Sequence, residues 1–255
     1  MGRKEVIMID NKIQNLRARM VEHHLDAYII PTADFHESEY VCDYFKARKF
    51  MSGFTGSAGI LVVTLTEAGL WTDGRYFIQA ARQLAGTGIT LYKMGEEGVP
   101  GIEKFLLNNL AEGSKLGFDG RVISARFGEQ LEKKLSRINI SFLYEKDLLE
   151  EIWTDRPPLP TEPAFLLDVK YAGKSSSEKL LQLRNTMLTK GATTHILTTL
   201  DDIAWLFNIR GNDIEYNPVV LSYAVITMEE AYLFIDRNKL DVPILKQLET
   251  DHITV

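Results

Sequence analysis

Helix-like and strand-like hydrophobic patterns alternate along the chain. Two short apolar runs, DAYIIPT (26–32) and AGILVVT (58–64), have the length and the content of branched residues that buried strands require. The second run continues through a turn at residues 66–69 into LWTD, which predicts a β-hairpin. Further on, the strand-like runs KLGFD and INISFLY flank ARFGEQLEKKL, whose apolar spacing is helical. The pattern predicts an α/β protein.

A long internal repeat refines this prediction. NKIQNLRARM (11–20) matches EKLLQLRNTM (178–187) in the pattern K-[IL]-x-x-L-R-x-x-M, and the register continues without a gap until DAYIIPT lies opposite TTHILTT. In both copies a helix end, a glycine-bearing loop and one β-hairpin follow, and the hairpin of the second copy turns at residues 228–230. The repeat predicts two α/β domains of the same fold, each with a mixed β-sheet flanked by helices.

The boundary between the two copies is rich in proline. Residues 152–163, IWTDRPPLPTEP, hold four prolines of the chain's eight, and proline interrupts both helices and central strands. We therefore predict a first domain at residues 1–156 and a second at 157–255. The second copy is shorter, so we expect an incomplete domain with too little cover for the apolar positions Val219, Leu221, Ala224, Leu233 and Phe234.

Composition excludes several classes of partner. The net charge of −6 and the absence of basic runs argue against nucleic-acid binding, because phosphate neutralisation needs clustered Lys and Arg. The sequence contains neither an apolar stretch of about 18 residues nor a secretory h-region. We expect a cytoplasmic protein that contacts neither nucleic acid nor membrane.

Catalytic and metal-binding patterns are also missing. None of the five histidines has the H-E-x-x-H or H-x-x-x-H spacing that places two imidazoles on one helix face. Cys42, the single cysteine, lies among apolar residues and is interpreted as a buried thiol. We predict no catalytic residue, no cofactor site and no metal site in this chain.

Three polar segments are candidates for binding. TDGRY places Arg75 and Tyr76 after a strand, where Arg75 either pairs with Asp73 or reaches a partner's carboxylate. His36 lies in the polar segment ADFHESEY, where capping competes with a functional role. RGNDIEYNP is interpreted primarily as a turn and secondarily as a polar binding site. Its candidate residues are Arg210, Asn212 and Asn217. The six residues are candidates for facing a partner or lining a cleft.

Five segments in order carry a family resemblance: SEY, SGFTGSAG, WTDGRYF-QA, IWTDRP and DIAWLFN-RG-D-NP. Together with the duplicated helix, they resemble the N-terminal part of the three-domain Xaa-Pro aminopeptidases, also called aminopeptidase P. Creatinases and prolidases share the wider fold. The resemblance implies two creatinase/prolidase N-terminal-like domains that help to form a homodimer and wall the active-site cleft, which limits access to short proline-containing peptides.

In this family a catalytic pita-bread domain follows and binds two metal ions, usually manganese, through two Asp, one His and two Glu. Those motifs have no counterpart in this sequence, so the resemblance implies that the catalytic domain is absent and that this chain alone is inactive. Three alternatives remain open: a stand-alone interaction or dimerisation module, part of a prolidase, or a module that binds a phosphate ligand at SGFTGSAG. The spacing of SGFTGSAG favours a tight turn over phosphate binding.

Overall fold

The computed structural model describes residues 3–255, with the side chains from Lys4 onward. The chain divides into a first unit that ends at Pro158 and a second unit from Leu159 to Val255. The division falls inside the proline-rich segment 152–163. Within residues 3–255, none of the helices combines the length and apolar character needed to cross a membrane.

The described part of the first unit contains helices and strands in the order α1 (Arg3–Glu22), β1 (Ala27–Pro31), α2 (Ala47–Ser52), β2 (Ile60–Thr64), β3 (Ala68–Thr72), α3 (Phe77–Gln83), β4 (Thr90–Lys93), α4 (Ile102–Asn109), β5 (Lys115–Phe118), α5 (Ala125–Leu135) and β6 (Ser141–Leu143). Six strands form one sheet in the order β4-β3-β2-β1-β5-β6. Only β2 runs antiparallel to the others in this sheet.

Both faces of the first sheet are buried. Along β1, Tyr28 and Ile30 pack on one face with residues of α1 and α2, whereas Ala27 and Ile29 pack on the other face with residues of α4 and α5. Successive side chains of a strand point to opposite faces, so β1 must be apolar throughout. This explains why DAYIIPT is a continuous apolar run and does not alternate.

The second unit has the order β7 (Phe165–Leu166), α6 (Val169–Ala172), α7 (Ser176–Thr189), β8 (Thr194–Leu197), α8 (Leu200–Phe207), β9 (Ile209–Arg210), β10 (Ser222–Thr227), β11 (Ala231–Ile235), α9 (Val242–Thr250) and β12 (Ile253–Thr254). Helix α7 begins with a capping box in which Ser175 and Glu178 bond reciprocally. The main sheet has the order β12-β11-β10-β8, with the same sequence of parallel and antiparallel pairings as β4-β3-β2-β1. The two copies therefore share one topology.

One face of the second sheet is more exposed than the corresponding face of the first sheet. On the face that packs against helices, Ala224 and Leu233 are buried with residues of α7, α8 and α9, and Val219 is buried as well. The expectation that these three positions lack cover was therefore wrong, because the chain's own helices cover them. On the opposite face, Ile196 and Phe234 are 65% and 56% exposed. The sheet order also places β8 at an edge of this sheet among the described strands.

The different pairing of β1 and β8 predicts different rates of amide hydrogen exchange in the two strands. Strand β1 has a neighbour on each side, whereas β8 pairs with β10 alone among the described strands. Because an unpaired, exposed amide opens at little cost, we expect β1 amides to be protected at least about 100-fold more than those of β8. The inner strands β2 and β10 are the control pair and should differ less. Equal protection of β1 and β8 in a monomeric sample would contradict an open edge.

Candidate functional site

The polar candidates of the first unit lie at one edge of its sheet. Strands β1, β3 and β5 run parallel, so the segments that follow them leave the sheet at the same edge. These segments carry His36, Arg75 and Arg121. In α/β sheets the carboxyl ends of parallel strands are the usual position of binding groups. We call this region, formed by residues 32–40, 73–76 and 119–121, the carboxyl edge.

Asp73 and Arg75 form hydrogen bonds with one another in the turn after β3. Nε and Nη2 of Arg75 donate to Oδ1 and Oδ2 of Asp73, both at 2.9 Å, and the Asp73 carboxylate also accepts the backbone N–H of Arg75 at 3.0 Å. Hydrogen bonding from Arg75 lowers the pKa of Asp73 below its ordinary value. The guanidinium remains exposed and lies 3.6 Å from a carboxylate oxygen of Glu39. Arg75 is thus held in position on the surface.

Tyr76 has a different role from its neighbour. Its ring packs edge-on against Phe54, with 5.8 Å between the ring centroids, and its hydroxyl lies 2.7 Å from Oγ of Ser57. The side chain is half-buried. Tyr76 therefore joins the turn after β3 to the SGFTGSAG loop, while Arg75 supplies the exposed charge.

The same turn occurs a second time, after β5. Nε and Nη2 of Arg121 donate to the carboxylate of Asp119 at 2.9 and 3.0 Å, as in the Asp73–Arg75 pair. The Arg121 guanidinium also lies 3.6 Å from Asp147 and 3.2 Å from Glu150. Sequence reasoning missed Arg121, although the repeated tripeptide Asp-Gly-Arg at residues 73–75 and 119–121 could have revealed it.

His36 is placed inside the loop after β1. Its side chain is only 3% exposed, and Nδ1 lies 3.7 Å from Oδ2 of the buried Asp34. The other carboxylate oxygen of Asp34 accepts the backbone N–H groups of His36 and Ser38 at 2.8 and 2.9 Å. His36 and Asp34 therefore shape the loop from within.

A buried arginine organises the SGFTGSAG loop. Arg48 of α2 is 4% exposed and donates from Nε to Oγ1 of Thr32 at 2.6 Å, from Nη1 to the carbonyl of Phe54 at 2.9 Å and from Nη2 to the carbonyl of Gly56. Burial lowers the pKa of Arg48 to about 10. The guanidinium thus fixes the path of the loop.

Close packing explains the glycines of this loop. A Cβ atom added to Gly56 would lie 2.3 Å from the ring of Phe54. Gly53 ends α2 with a positive φ of 69°, a conformation that favours glycine. These observations agree with the interpretation of SGFTGSAG as a tight turn.

The candidates of the second unit lie on the segment after α8. Nη1 of Arg210 donates to the carbonyls of Ala204 and Ile209, so it caps the end of the helix. Asn212 is exposed. The backbone N–H of Asn217 donates to the carbonyl of Ile214 at 3.1 Å. The loop 211–218 is therefore a folded turn with exposed polar groups.

Two features of this loop were not anticipated from the sequence. Tyr216 is 97% exposed and has a positive φ of 62°, which is uncommon for a bulky residue. In the same loop, Oδ2 of Asp213 lies 2.5 Å from Nζ of the buried Lys239 and also accepts the N–H of Leu221 at 2.7 Å. A buried ion pair thus anchors the loop that displays Tyr216.

The acidic and histidine side chains are dispersed with respect to metal binding. Among residues 3–255, no group of three or more His, Cys, Asp or Glu side chains is arranged to hold a metal ion. At the carboxyl edge, Asp73 and Asp119 are instead paired with Arg75 and Arg121. The side chains of the described part of the chain therefore do not fit a metal centre.

Comparison with known proteins identifies the fold. Two sequence models, each described as the creatinase/prolidase N-terminal domain, match residues 12–147 and 155–255. The chain belongs to the creatinase/prolidase N-terminal domain family. This membership confirms the predicted α/β fold with two related domains.

Relatives with this N-terminal fold are named as aminopeptidases. Aminopeptidase P2 of Arabidopsis thaliana is 39% identical over 248 residues, which cover 95% of this chain and 35% of the relative. A probable Xaa-Pro aminopeptidase P of Sordaria macrospora is 44% identical over 90% of this chain and 38% of its own length. The resemblance inferred from the motifs is confirmed: the chain matches the N-terminal part of Xaa-Pro aminopeptidases.

A solved structure extends the comparison to three dimensions. The X-prolyl aminopeptidase of Caenorhabditis elegans, described as a cytosolic enzyme with a di-nuclear active site, matches with a TM-score of 0.88 and 37% identity. The match covers 96% of this chain and 41% of that enzyme. The chain therefore spans about 35 to 41% of the length of these relatives.

Proposed function

We propose that this chain is the N-terminal, non-catalytic part of a metal-dependent Xaa-Pro aminopeptidase, an enzyme that removes the residue preceding a proline at the amino terminus of a peptide. One observation carries the proposal: the fold of the C. elegans enzyme matches 96% of this chain with a TM-score of 0.88. Named Xaa-Pro aminopeptidases at 39 to 44% identity support it.

The chemistry of the parent enzyme belongs to a separate catalytic domain in this proposal. The C. elegans enzyme is described as having a di-nuclear active site, and the described residues here offer no matching donor set. When two divalent ions such as manganese are bound, they supply an activated hydroxide for hydrolysis. The present chain supplies no ligand to these ions in this proposal, and its expected location is the cytoplasm.

The two units have a supporting role in this proposal, namely dimerisation and control of access to the cleft. The exposed, prepositioned Arg75 suits contact with a partner's carboxylate, because a guanidinium binds carboxylate in a planar, two-point geometry. In the second unit, the exposed Asn212 and the neighbouring Asn217 offer amide groups on a folded loop. Proline-containing peptides are the proposed substrates of the whole enzyme.

An assay of peptide cleavage tests the proposal. The chain alone, and a longer version that carries the catalytic domain, are each incubated with manganese and an Xaa-Pro tripeptide, and release of the first residue is measured. We expect turnover by the longer version and none above background by the chain alone. Metal-dependent turnover by the chain alone that persists after repurification would contradict the assignment, as would an inactive longer version that is folded and loaded with metal.

A further inference from the structure

The second unit leaves open a sheet face that the first unit buries. In the repeat, Ile196 of β8 occupies the position of Ile29 of β1, yet Ile29 is 1% exposed and Ile196 is 65% exposed. The strand pairings extend the comparison, because Val62 of β2 lies opposite Ile29 and Val225 of β10 lies opposite Ile196. Val62 is fully buried, whereas Val225 is only half-buried. Equivalent apolar positions therefore differ in cover.

The third strand of each sheet shows the same difference. On β3, Trp71 stands two residues after the partner of Val62, and on β11, Phe234 stands two residues after the partner of Val225. Trp71 is buried, whereas Phe234 is exposed. We call Ile196, Val225 and Phe234 the open face. An exposed apolar surface that extends over neighbouring strands usually marks an interaction site.

In the first unit, one continuous segment covers the equivalent surface. Ile29, Val62 and Trp71 form a buried cluster with apolar residues of the helices α4 and α5. Strand β5 lies between these two helices in the sequence and pairs in parallel with β1. The segment from α4 to α5 therefore covers the face and also closes the edge of β1.

Within residues 159–255, the second unit has no counterpart of this segment. The elements α7, β8, α8, β10, β11, α9 and β12 correspond in order to α1, β1, α2, β2, β3, α3 and β4. Strand β8 has β10 as its only neighbour among the described strands. The open face and the open edge of β8 are thus the two surfaces that one segment closes in the first unit.

We propose that a helix–strand–helix segment of the parent enzyme, following residue 255, covers the open face and adds a strand parallel to β8. The added strand lies opposite residues 194–196, as residues 116–118 lie opposite residues 27–29. The inference rests on the proposed function, in which the chain is the N-terminal part of a longer enzyme. The relatives have the necessary length, because the chain spans only about 35 to 41% of them.

A second copy of the chain suits these surfaces less well. Two copies that pair through β8 about a twofold axis place their edge strands antiparallel. Such pairing extends the open face across both copies and leaves it uncovered. A segment with the topology of α4, β5 and α5 closes the edge and the face together.

Three versions of the protein test the proposal: the present chain, a version extended by its natural continuation over a length equal to that of residues 94–143, and the full-length enzyme. Ile196→Ser probes the open face in each version. The matched control is Leu188→Ser, because Leu188 and its counterpart in the repeat, Val21, are both exposed. Urea unfolding of the second unit is followed by fluorine NMR of 5-fluorotryptophan at position 205.

The open face should matter only when the segment is present. We expect Ile196→Ser to lower the urea midpoint by about 1 M or more in the two longer versions, where the side chain becomes buried. In the present chain its effect should be less than about 0.3 M, and Leu188→Ser should have an equally small effect in all three versions. In the extended version, β8 amides that point away from β10 should exchange at least about 100-fold more slowly than in the present chain.

Several results would overturn the proposal. The segment does not complete the sheet if the extended version leaves β8 exchange and the effect of Ile196→Ser unchanged, or if its second unit is no more stable than that of the present chain. Protection of β8 in the full-length enzyme alone would identify another domain as the cover. Protection that rises with the concentration of the present chain would identify a second copy.

Cleavage of an Xaa-Pro tripeptide by the full-length enzyme separates this inference from the proposed function. An active enzyme in which β8 exchanges as fast as in the present chain would refute the segment and leave the peptidase assignment intact. A folded, metal-loaded enzyme that protects β8 but has no activity would contradict the peptidase assignment alone.

Discussion

Replacing Lys239 by methionine is expected to destabilise the second unit by about 3 to 5 kcal/mol. Lys239 and Asp213 form an ion pair whose side chains are 3% and 0% exposed. Without the ammonium group, the Asp213 carboxylate stays buried and keeps only the N–H of Leu221 at 2.7 Å as a donor. Its Oδ1 atom is already buried without a hydrogen-bond partner among the described residues. The loss is therefore large, because an uncompensated charge remains.

Urea unfolding followed by fluorine NMR measures this effect in each unit separately. The chain has three tryptophans, and 5-fluorotryptophan at position 205 reports the second unit, while positions 71 and 153 report the first. The matched control is Arg237→Met, an exposed cation in the same turn. We expect the Lys239→Met transition at position 205 to move to lower urea and the control to change by less than about 0.5 kcal/mol.

A double variant isolates the charge from the loss of packing. Asp213→Asn combined with Lys239→Met removes both charges and keeps an acceptor for the N–H of Leu221. This double variant should be more stable than Lys239→Met alone by at least about 1 kcal/mol. If Lys239→Met proves no more destabilising than Arg237→Met, the buried pair does not anchor the loop 211–218.

The duplicated fold was predictable because its signals are local. The helix pattern at residues 11–20 and 178–187 predicts where an amphipathic helix feeds a buried strand, and the structure places α1 before β1 and α7 before β8. Hydrophobic periodicity depends on near neighbours in sequence, so one chain suffices to detect it. The repeat then fixes the shared topology of the two sheets.

The cover of the second sheet was not predictable in the same way. The short length after the second hairpin suggested that Ala224 and Leu233 would be exposed, yet helices that precede and follow the hairpin bury them. The uncovered positions, Ile196 and Phe234, lie on the other face. The apolar pattern shows that a position needs cover, but the tertiary arrangement decides which face receives it.

Long-range ion pairs explain most of what the sequence did not reveal about the candidate site. Asp73 and Arg75 are close in sequence, so their pairing was one of the two alternatives considered. The contacts of Asp147 with Arg121 and Arg156 join segments that only folding brings together. The full exposure of Tyr216 depends in the same way on its loop conformation.

Replacing Arg48 by methionine is expected to destabilise the first unit by about 3 to 5 kcal/mol and to loosen the SGFTGSAG loop. The variant removes the donors to the carbonyls of Phe54 and Gly56. Each buried acceptor left without a partner costs about 1 to 3 kcal/mol, and methionine supplies no hydrogen bond. The hydrogen bond to Thr32 is lost as well, so the loop and the strand end beside it lose a common anchor.

Unfolding and hydrogen exchange together test this role. The midpoint of the urea transition reported by 5-fluorotryptophan at position 71 should move to a lower urea concentration. At urea concentrations below the transition, amides of residues 53–59 should exchange faster, because the loop opens locally. Arg82→Met, an exposed arginine of α3, is the matched control and should leave both measurements near the original values. Arg48→Lys keeps the charge but lacks the planar guanidinium that reaches three acceptors. Its stability and loop exchange should therefore lie between those of Arg48→Met and Arg82→Met. If Arg48→Met and Arg82→Met give the same unfolding free energy and the same loop exchange, the loop does not depend on the buried guanidinium. The close packing of Gly56 against Phe54 would then be sufficient to maintain the loop conformation.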